Sequence, residues 1–230
     1  MILVRHIPNA LTCLNLLFGC LAIIEVFNGK LEHVIYYTFL SGIADFLDGL
    51  AARLLNVQSN IGKDLDSLAD VVSFGVVPSL LMFQLINNSS HIQMLSYGGL
   101  TVAIFSGLRL AKFNNDTRQH EHFHGLPVPA NALFLCPLPI LIDQGVFSDV
   151  LTNPYFLLAI SATTSLLLVS DFKLLALKFK GLGFKGNELR YLLIVGSLAA
   201  FTTFQWLALP FIVVFYLLTS IFALVLESNK

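Results

Sequence analysis

Four aspartates in the segment 45–70 carry the clearest chemistry in this sequence. Asp45 and Asp48 are three residues apart, and Asp66 and Asp70 are four apart. On a helix, either spacing places both carboxylates of a pair on one face. Carboxylate oxygens are the ligands that hard divalent cations prefer. We interpret the four aspartates as ligands of divalent metal ions, and two such ions would form the clamp used in phosphoryl transfer.

The rest of the chain is too apolar for a soluble protein of this size. Of 230 residues, 56% are hydrophobic and 12% are charged, whereas about 25% are charged in typical soluble domains. An aspartate at the centre of a membrane helix costs about 3 kcal/mol, so four unpaired ones need counter-charges. The formal net charge is −1. That value offers no basic field for nucleic acid, and we expect no nucleic-acid partner.

Eight apolar segments approach the length of about 20 residues that spans a bilayer. We predict an all-α, polytopic transmembrane helix bundle that forms a single domain over residues 1–230. The fifth segment contains four prolines and should be kinked, and almost no loop separates the last two. The predicted spans are 10–27, 31–55, 65–86, 94–113, 126–143, 154–170, 189–204 and 207–226.

The basic residues predict the orientation of this integral membrane protein. With eight spans, Lys30 alone among the 13 lysines and arginines falls on one side. Cytoplasmic loops carry the excess of Lys and Arg. Both termini and the aspartate cluster are therefore predicted on the cytoplasmic side of the membrane.

Small residues and one arginine stand at fixed positions among the aspartates. Gly49 and Gly62 would let a ligand or a second helix approach the backbone closely. The complete pattern is D-x2-D-G-x2-A-R-x8-G-x3-D-x3-D, formed by Asp45, Asp48, Gly49, Ala52, Arg53, Gly62, Asp66 and Asp70. It resembles the signature of the CDP-alcohol phosphatidyltransferase family. This resemblance implies a core of six membrane helices, usually in a homodimer.

The resemblance also implies roles for individual residues. Asp45, Asp48, Asp66 and Asp70 would bind two Mg²⁺ or Mn²⁺ ions that hold the diphosphate of a CDP-linked lipid. Asp70 would also be the general base for the attacking alcohol. The residues implied at the CDP-lipid are Asn9, Thr12, Asp48, Gly49, Ala52, Arg53, Ser59 and Gly62. Asn9 is also open to a structural interpretation as a helix cap.

The acceptor alcohol is predicted from stretches outside the aspartate cluster. Segments 12–19, 66–75, 108–114 and 125–130 resemble the branch of the family that transfers phosphatidyl groups from CDP-diacylglycerol to L-serine. The alternative acceptors are glycerol 3-phosphate and inositol phosphate, whose extra phosphate calls for more cations. A serine carboxylate could bind Arg109 and Lys112. The candidate acceptor residues are Asn15, Arg109, Lys112 and Asn114.

Other interpretations remain open from the sequence. An intramembrane prenyltransferase would also use aspartates and magnesium, but its acidic motifs usually lie far apart. A cation transporter would place acidic residues across the bilayer depth, and the other spans contain almost none. His120, His122 and His124 alternate in a loop and could bind a transition metal, although solvated loop histidines are the more ordinary interpretation.

Overall fold

The predicted all-α bundle is confirmed by the computed structural model, which describes residues 6–57, 59–115, 123–175, 183 and 187–228. Of the alternating histidines, His120 and His122 lie outside the described residues, and only the backbone of His124 is described. The interpretation of these histidines as solvated loop residues therefore stays a prediction. The one strand pair in the described part joins Phe123 to Leu174 and His124 to Lys173 in antiparallel register.

The amino-terminal half consists of long helices with recognisable start signals. Pro8 lies in the first turn of α1, where its missing N–H is no loss. Ser59 caps α3, because its side chain accepts a hydrogen bond from the Gly62 amide. The helices are α1 (Ile7–Phe27), α2 (Val34–Leu54), α3 (Asn60–Asp70), α4 (Val77–Ser89), α5 (Gln93–Ser96) and α6 (Thr101–Asn115). A π-helical turn, Val71–Val76, joins α3 to α4 without a break.

The carboxyl-terminal half contains shorter helices and a final hairpin. The predicted kink in the fifth span is confirmed, because α7 ends before Pro137 and α8 begins after it. The elements are β1 (Phe123–His124), α7 (Val128–Leu135), α8 (Leu138–Asp143), α9 (Ser148–Leu151), α10 (Pro154–Val169), β2 (Lys173–Leu174), α11 (Glu188–Phe204) and α12 (Ala208–Ser228).

Membrane-spanning character follows from helix length and composition. Among the described residues, five helices are long and apolar enough to cross a membrane, and 128–143 and 154–169 are shorter apolar helices. The longest run, Glu188–Val225, contains both α11 and α12. They reverse at Gln205 and pack together, since a Cβ on Gly196 would lie 3.2 Å from the Phe215 ring. All eight predicted spans are therefore helical.

Helix α1 occupies the position that organises the site. It packs along α2 and α3 and against the π-helical turn, whereas α3 packs mainly on α1 rather than on α2. The second and third spans also meet at the aspartates, since carboxylate oxygens of Asp45 and Asp48 lie within 4.8 Å of one of Asp66. Helix α1 approaches the π-helical turn closely at Gly19, where an added Cβ would overlap the Ser73 hydroxyl and lie 3.0 Å from the Ser73 Cα.

We expect Gly19→Ala to reduce stability by about 1–3 kcal/mol, because the added methyl group must push the π-helical turn away from α1. Thermal unfolding of the purified protein in detergent measures this effect. Gly42→Ala is the matched control, since nothing lies within 4 Å of a Cβ there. That control should be neutral or stabilising by about 0.5–1 kcal/mol. Equal melting temperatures for both variants would contradict the predicted contact.

Candidate active site

Three of the four predicted metal ligands converge in the structure. One carboxylate oxygen from each of Asp45, Asp48 and Asp66 lies within 4.8 Å of the others. Asp48 is buried, and the other two are half-buried. No lysine, arginine or histidine among the described residues forms an ion pair with these carboxylates. The cluster therefore concentrates negative charge that the described side chains do not neutralise.

The fourth predicted ligand, Asp70, stands beside this cluster rather than within it. It is the last residue of α3, directly before the π-helical turn, and is half-buried. Its Oδ1 accepts a hydrogen bond from Asn15 Nδ2 at 3.2 Å. Asp45 and Asp66 are its strongest electrostatic neighbours. A carboxylate held by one oxygen keeps its other oxygen available for a metal ion or a substrate hydroxyl.

Two polar residues of α1, Thr12 and Asn15, hold the carboxylates by hydrogen bonds. Thr12 Oγ1 donates to Asp48 Oδ2 at 2.6 Å, in addition to its 3.1 Å contact with the Pro8 carbonyl. The Asn15 backbone carbonyl accepts from the hydroxyls of Ser41 at 3.1 Å and Ser73 at 3.0 Å. These two bonds tie α2 and the π-helical turn to one point on α1, next to the Asn15 amide that holds Asp70.

A cavity of about 370 Å³ opens beside the carboxylate cluster. A Cβ on Gly49 would meet nothing within 4 Å, so this glycine leaves free space in the cavity. A Cβ on Gly62 would lie 3.0 Å from Ser59 Oγ and 3.1 Å from Asn9 Oδ1, so that position requires a close backbone approach. The cavity is lined by Pro8, Asn9, Thr12, Asp48, Gly49, Ala52, Val57, Ser59, Asn60, Gly62, Lys63 and Asp66.

Seven of the eight residues predicted at the CDP-lipid line this cavity. The exception is Arg53, which is exposed and whose Nε donates to the Gly49 carbonyl at 3.0 Å. Lys63 lines the cavity instead, although the sequence analysis assigned it no role. In the sequence, its position directly after Gly62 of the motif already indicated that it lies near the cavity. Asn9 lies inside α1, whose amino-terminal cap is His6, so the alternative interpretation of Asn9 as a cap is wrong.

The four candidate acceptor residues separate into two groups. Arg109 and Asn15 are buried, with 7% and 0% of their surface exposed. Arg109 stacks over the Phe113 ring at 5.4 Å, and its Nε has no hydrogen-bond partner. Lys112 already pairs with Asp171 at 3.1 Å, and Asn114 Nδ2 donates to Ser67 Oγ at 2.8 Å. Only the first group leaves polar atoms available for a ligand inside the bundle.

The carboxylate cluster fits divalent cations. The donors are all oxygens, which is the set that Mg²⁺ and Mn²⁺ prefer over softer metals. Asp66 Oδ1 is buried without a hydrogen-bond partner in the structure, as expected for an oxygen that has a ligand to accept. Asp45, Asp48 and Asp66 would hold the ions, and Asp70 interacts electrostatically with Asp45 and Asp66.

The chain is similar to known proteins over most of its length. The family model described as CDP-alcohol phosphatidyltransferase matches residues 5–170, so α11 and α12 lie outside the matched segment. Three similar proteins are each named CDP-diacylglycerol–serine O-phosphatidyltransferase. The protein from Bacillus subtilis is 36% identical over 150 residues, which are 61% of this chain and 82% of that protein.

The other two relatives come from an archaeon and a second bacterium. The protein from Methanocaldococcus jannaschii is 36% identical over 155 residues, which are 67% of this chain and 71% of that protein. The protein from Helicobacter pylori is 34% identical over 152 residues, which are 65% of this chain and 64% of that protein. The chain thus spans slightly less than two thirds of the Helicobacter relative.

We expect Thr12→Val to weaken Mn²⁺ binding about 10–100-fold, the usual effect of removing a donor that orients a metal-ligating carboxylate. Titration of the metal-stripped protein in detergent, followed by electron paramagnetic resonance of free Mn²⁺, measures the affinity. Thr12→Ser keeps the hydroxyl and is the matched control, expected to bind within a few-fold of the unmodified protein. Unchanged affinity in the valine variant would show that Thr12 does not orient Asp48.

Proposed function

This chain belongs to the CDP-alcohol phosphatidyltransferase family, and from that membership we propose that it transfers a phosphatidyl group from CDP-diacylglycerol to L-serine. The products are phosphatidylserine and CMP. The observation that carries the proposal is the joint position of Asp45, Asp48 and Asp66 at the edge of a cavity lined by glycines and amide side chains. The names of the similar proteins support serine as the acceptor.

The reaction exchanges a phosphoanhydride bond for a phosphate ester bond. The serine hydroxyl oxygen attacks the phosphorus next to diacylglycerol and forms a new P–O bond. The P–O bond to the cytidine phosphate breaks, and CMP leaves with that electron pair. Asp70 takes the hydroxyl proton, because its carboxylate is held by Asn15 at one oxygen only. Divalent cations bound by the neighbouring carboxylates supply positive charge for the diphosphate and for the charge that develops in the transition state.

The cavity is a suitable site for the cytidine diphosphate. Gly49 and Ala52 leave space for a planar base and a ribose, and Asn9 and Ser59 offer hydrogen-bonding groups at the opposite wall. Lys63 lies in the wall beside Asp66, where its ammonium group can pair with a phosphate oxygen. Arg53 stays a candidate for the phosphates, since its Nε bonds to the backbone of its own helix and not to a carboxylate.

Arg109 and Asn15 are the groups that we assign to the acceptor. A guanidinium group that is 7% exposed and lacks a carboxylate partner among the described residues is a natural partner for the serine carboxylate. Asp70 is the strongest electrostatic partner of Arg109, which links this subsite to the base. Lys112 and Asn114, with their own partners, stay candidates at the entrance.

Four further features belong to the same proposal. The metal ions are two Mg²⁺ or Mn²⁺, the chain forms one domain over residues 1–230, and the enzyme is a homodimer, as the family resemblance implies. The site faces the cytoplasm, and both termini lie on that side. The one-sided distribution of lysine and arginine supports this orientation.

An acceptor panel tests the proposed substrate. Purified enzyme with CDP-diacylglycerol and Mn²⁺ should release CMP with L-serine and form phosphatidylserine, whereas glycerol 3-phosphate and inositol phosphate should give little product. Thin-layer chromatography of the lipid products and a CMP assay provide the readouts. If product forms with glycerol 3-phosphate but not with serine, the acceptor is glycerol 3-phosphate and not serine. If none of the acceptors causes CMP release with either Mg²⁺ or Mn²⁺, the assignment as a transferase is wrong.

We expect Asp70→Asn to lower kcat by about 10²–10⁴-fold, the usual contribution of a general base. The variant should still bind CDP-diacylglycerol, because its amide oxygen can accept the same bond from Asn15 and the other three carboxylates are intact. Steady-state kinetics measures turnover, and equilibrium binding of labelled CDP-diacylglycerol checks the retained site. Turnover near the unmodified rate would remove Asp70 from the role of base.

A further inference from the structure

Buried polar atoms without a partner concentrate on the helices around Asp70. In the part of the chain that the structure describes, they belong to Asn15, Asp66, Ser106, Arg109 and Asn131. Most of this set belongs to the groups already assigned to the metal or the acceptor, or lies one helical turn from Arg109 on α6. Asn131 on α7 has no assigned role, although it is 0% exposed and both polar atoms of its amide lack a partner.

An unpartnered amide in a bundle core is an anomaly that needs a physical reason. Buried amides are nearly always hydrogen-bonded, because desolvation without a replacement bond is costly. The other buried side chains of α7 are apolar: Val128, Ala132 and Leu135 are each 0% exposed. A leucine at position 131 would suit this environment without the desolvation cost, so the amide indicates a ligand.

The position of Asn131 on α7 shows which neighbours it faces. Cys136 contacts Thr38 of α2 at 3.5 Å, and Phe134 lines a groove formed with α10 and α12. At about 100° per residue, Asn131 lies about 60° from Phe134 and about 140° from Cys136. This angle directs Asn131 away from the face of Cys136, and α7 also packs on α6 and on the π-helical turn.

Helix α6 also carries buried polar residues. Ser106 packs on the π-helical turn, since a Cβ on Gly75 would lie 3.0 Å from its Cβ. Arg109 follows three residues later on the same face of α6. Asn131 of α7 and Ser106 and Arg109 of α6 thus stand on helices that pack on each other and on the π-helical turn that follows Asp70, and each has a buried polar atom without a partner.

We propose that Asn131 is a specificity-determining residue that recognises the α-amino acid group of the acceptor, with its Oδ1 accepting from the ammonium and its Nδ2 donating to the carboxylate beside Arg109. This inference rests on the proposed function. An amino acid carries both groups on one carbon, so a single amide reaches both. A neutral amide suits the site, because an aspartate here would pair with Arg109 and compete with the carboxylate of the acceptor.

Asn131→Leu tests the assignment through three measurements on the full-length enzyme. The KM for L-serine should rise at least 10-fold, while the KM for CDP-diacylglycerol stays within 2-fold. The melting temperature without acceptor should be unchanged or higher, because the unpartnered amide is gone. The upward shift of melting temperature that serine causes by binding the native enzyme should be lost.

Acceptor analogues separate the two halves of the amino acid group. Ethanolamine lacks the carboxylate, and 3-hydroxypropanoate lacks the ammonium. The unmodified enzyme should prefer L-serine over both, measured as kcat/KM. In Asn131→Leu the preference over 3-hydroxypropanoate should fall at least 10-fold, because the ammonium loses its acceptor. An unchanged preference would overturn the assignment of Oδ1 to the ammonium.

Thr38→Val is the matched control, since Thr38 is also buried beside α7 but its hydroxyl is already hydrogen-bonded. Its serine KM should be normal. If Asn131→Leu does not fold, Asn131→Ala carries the same comparison. Phosphatidylserine synthesis with a normal serine KM in the Asn131 variants would defeat this inference alone. Absence of phosphatidylserine from the unmodified enzyme would instead defeat the proposed function.

Discussion

Repulsion among carboxylates held in an apolar bundle is the constraint on which the site depends. Two unit charges 4.8 Å apart repel by about 3 kcal/mol at the effective dielectric constant of about 20 that suits protein interiors. Asp45, Asp48 and Asp66 form three such pairs, and the described part of the chain offers them no cationic side chain. The arrangement is stable only with bound cations or bound protons. Cations bound by these carboxylates would in turn attract the negatively charged diphosphate of a substrate.

Helix α1 makes this arrangement rigid. It provides a hydroxyl for Asp48 and an amide for Asp70, and its Asn15 carbonyl receives two serine hydroxyls from neighbouring elements. Each bond to a carboxylate removes one orientation that would break the metal geometry. Helix α1 therefore contacts every element around the site: α2, α3 and the π-helical turn. The clustered aspartates lie on packed helices and not in loops.

Much of this organisation was readable from the sequence, and the remainder has identifiable causes. Spacing and hydropathy predicted the helices, the kink at Pro137 and the carboxylate cluster, because these are local properties of the chain. The packing of α3 on α1 and the position of Lys63 in the cavity wall depend on tertiary contacts, which no periodicity encodes. Arg53 instead bonds to the Gly49 carbonyl of its own helix and does not line the cavity. Asn131 looks unremarkable in an apolar segment until its burial and missing partners are known. The sequence patterns therefore predicted the carboxylate cluster better than the burial of the polar groups around it.

The π-helical turn between α3 and α4 has a consequence for how this fold can vary. A π-helical turn adds about one residue to the α-helical register, which is about 100° of rotation. Asp70 precedes this turn, and the fully buried Val77 and Leu81 follow it. The carboxylate face and the core face of one continuous span are thereby set out of phase. Deleting a single residue within Val71–Val76 would rotate one face by about 100° relative to the other, so that the two faces would no longer both meet their present neighbours. This turn therefore sets the relative orientation of the two faces, although it contains none of the clustered aspartates.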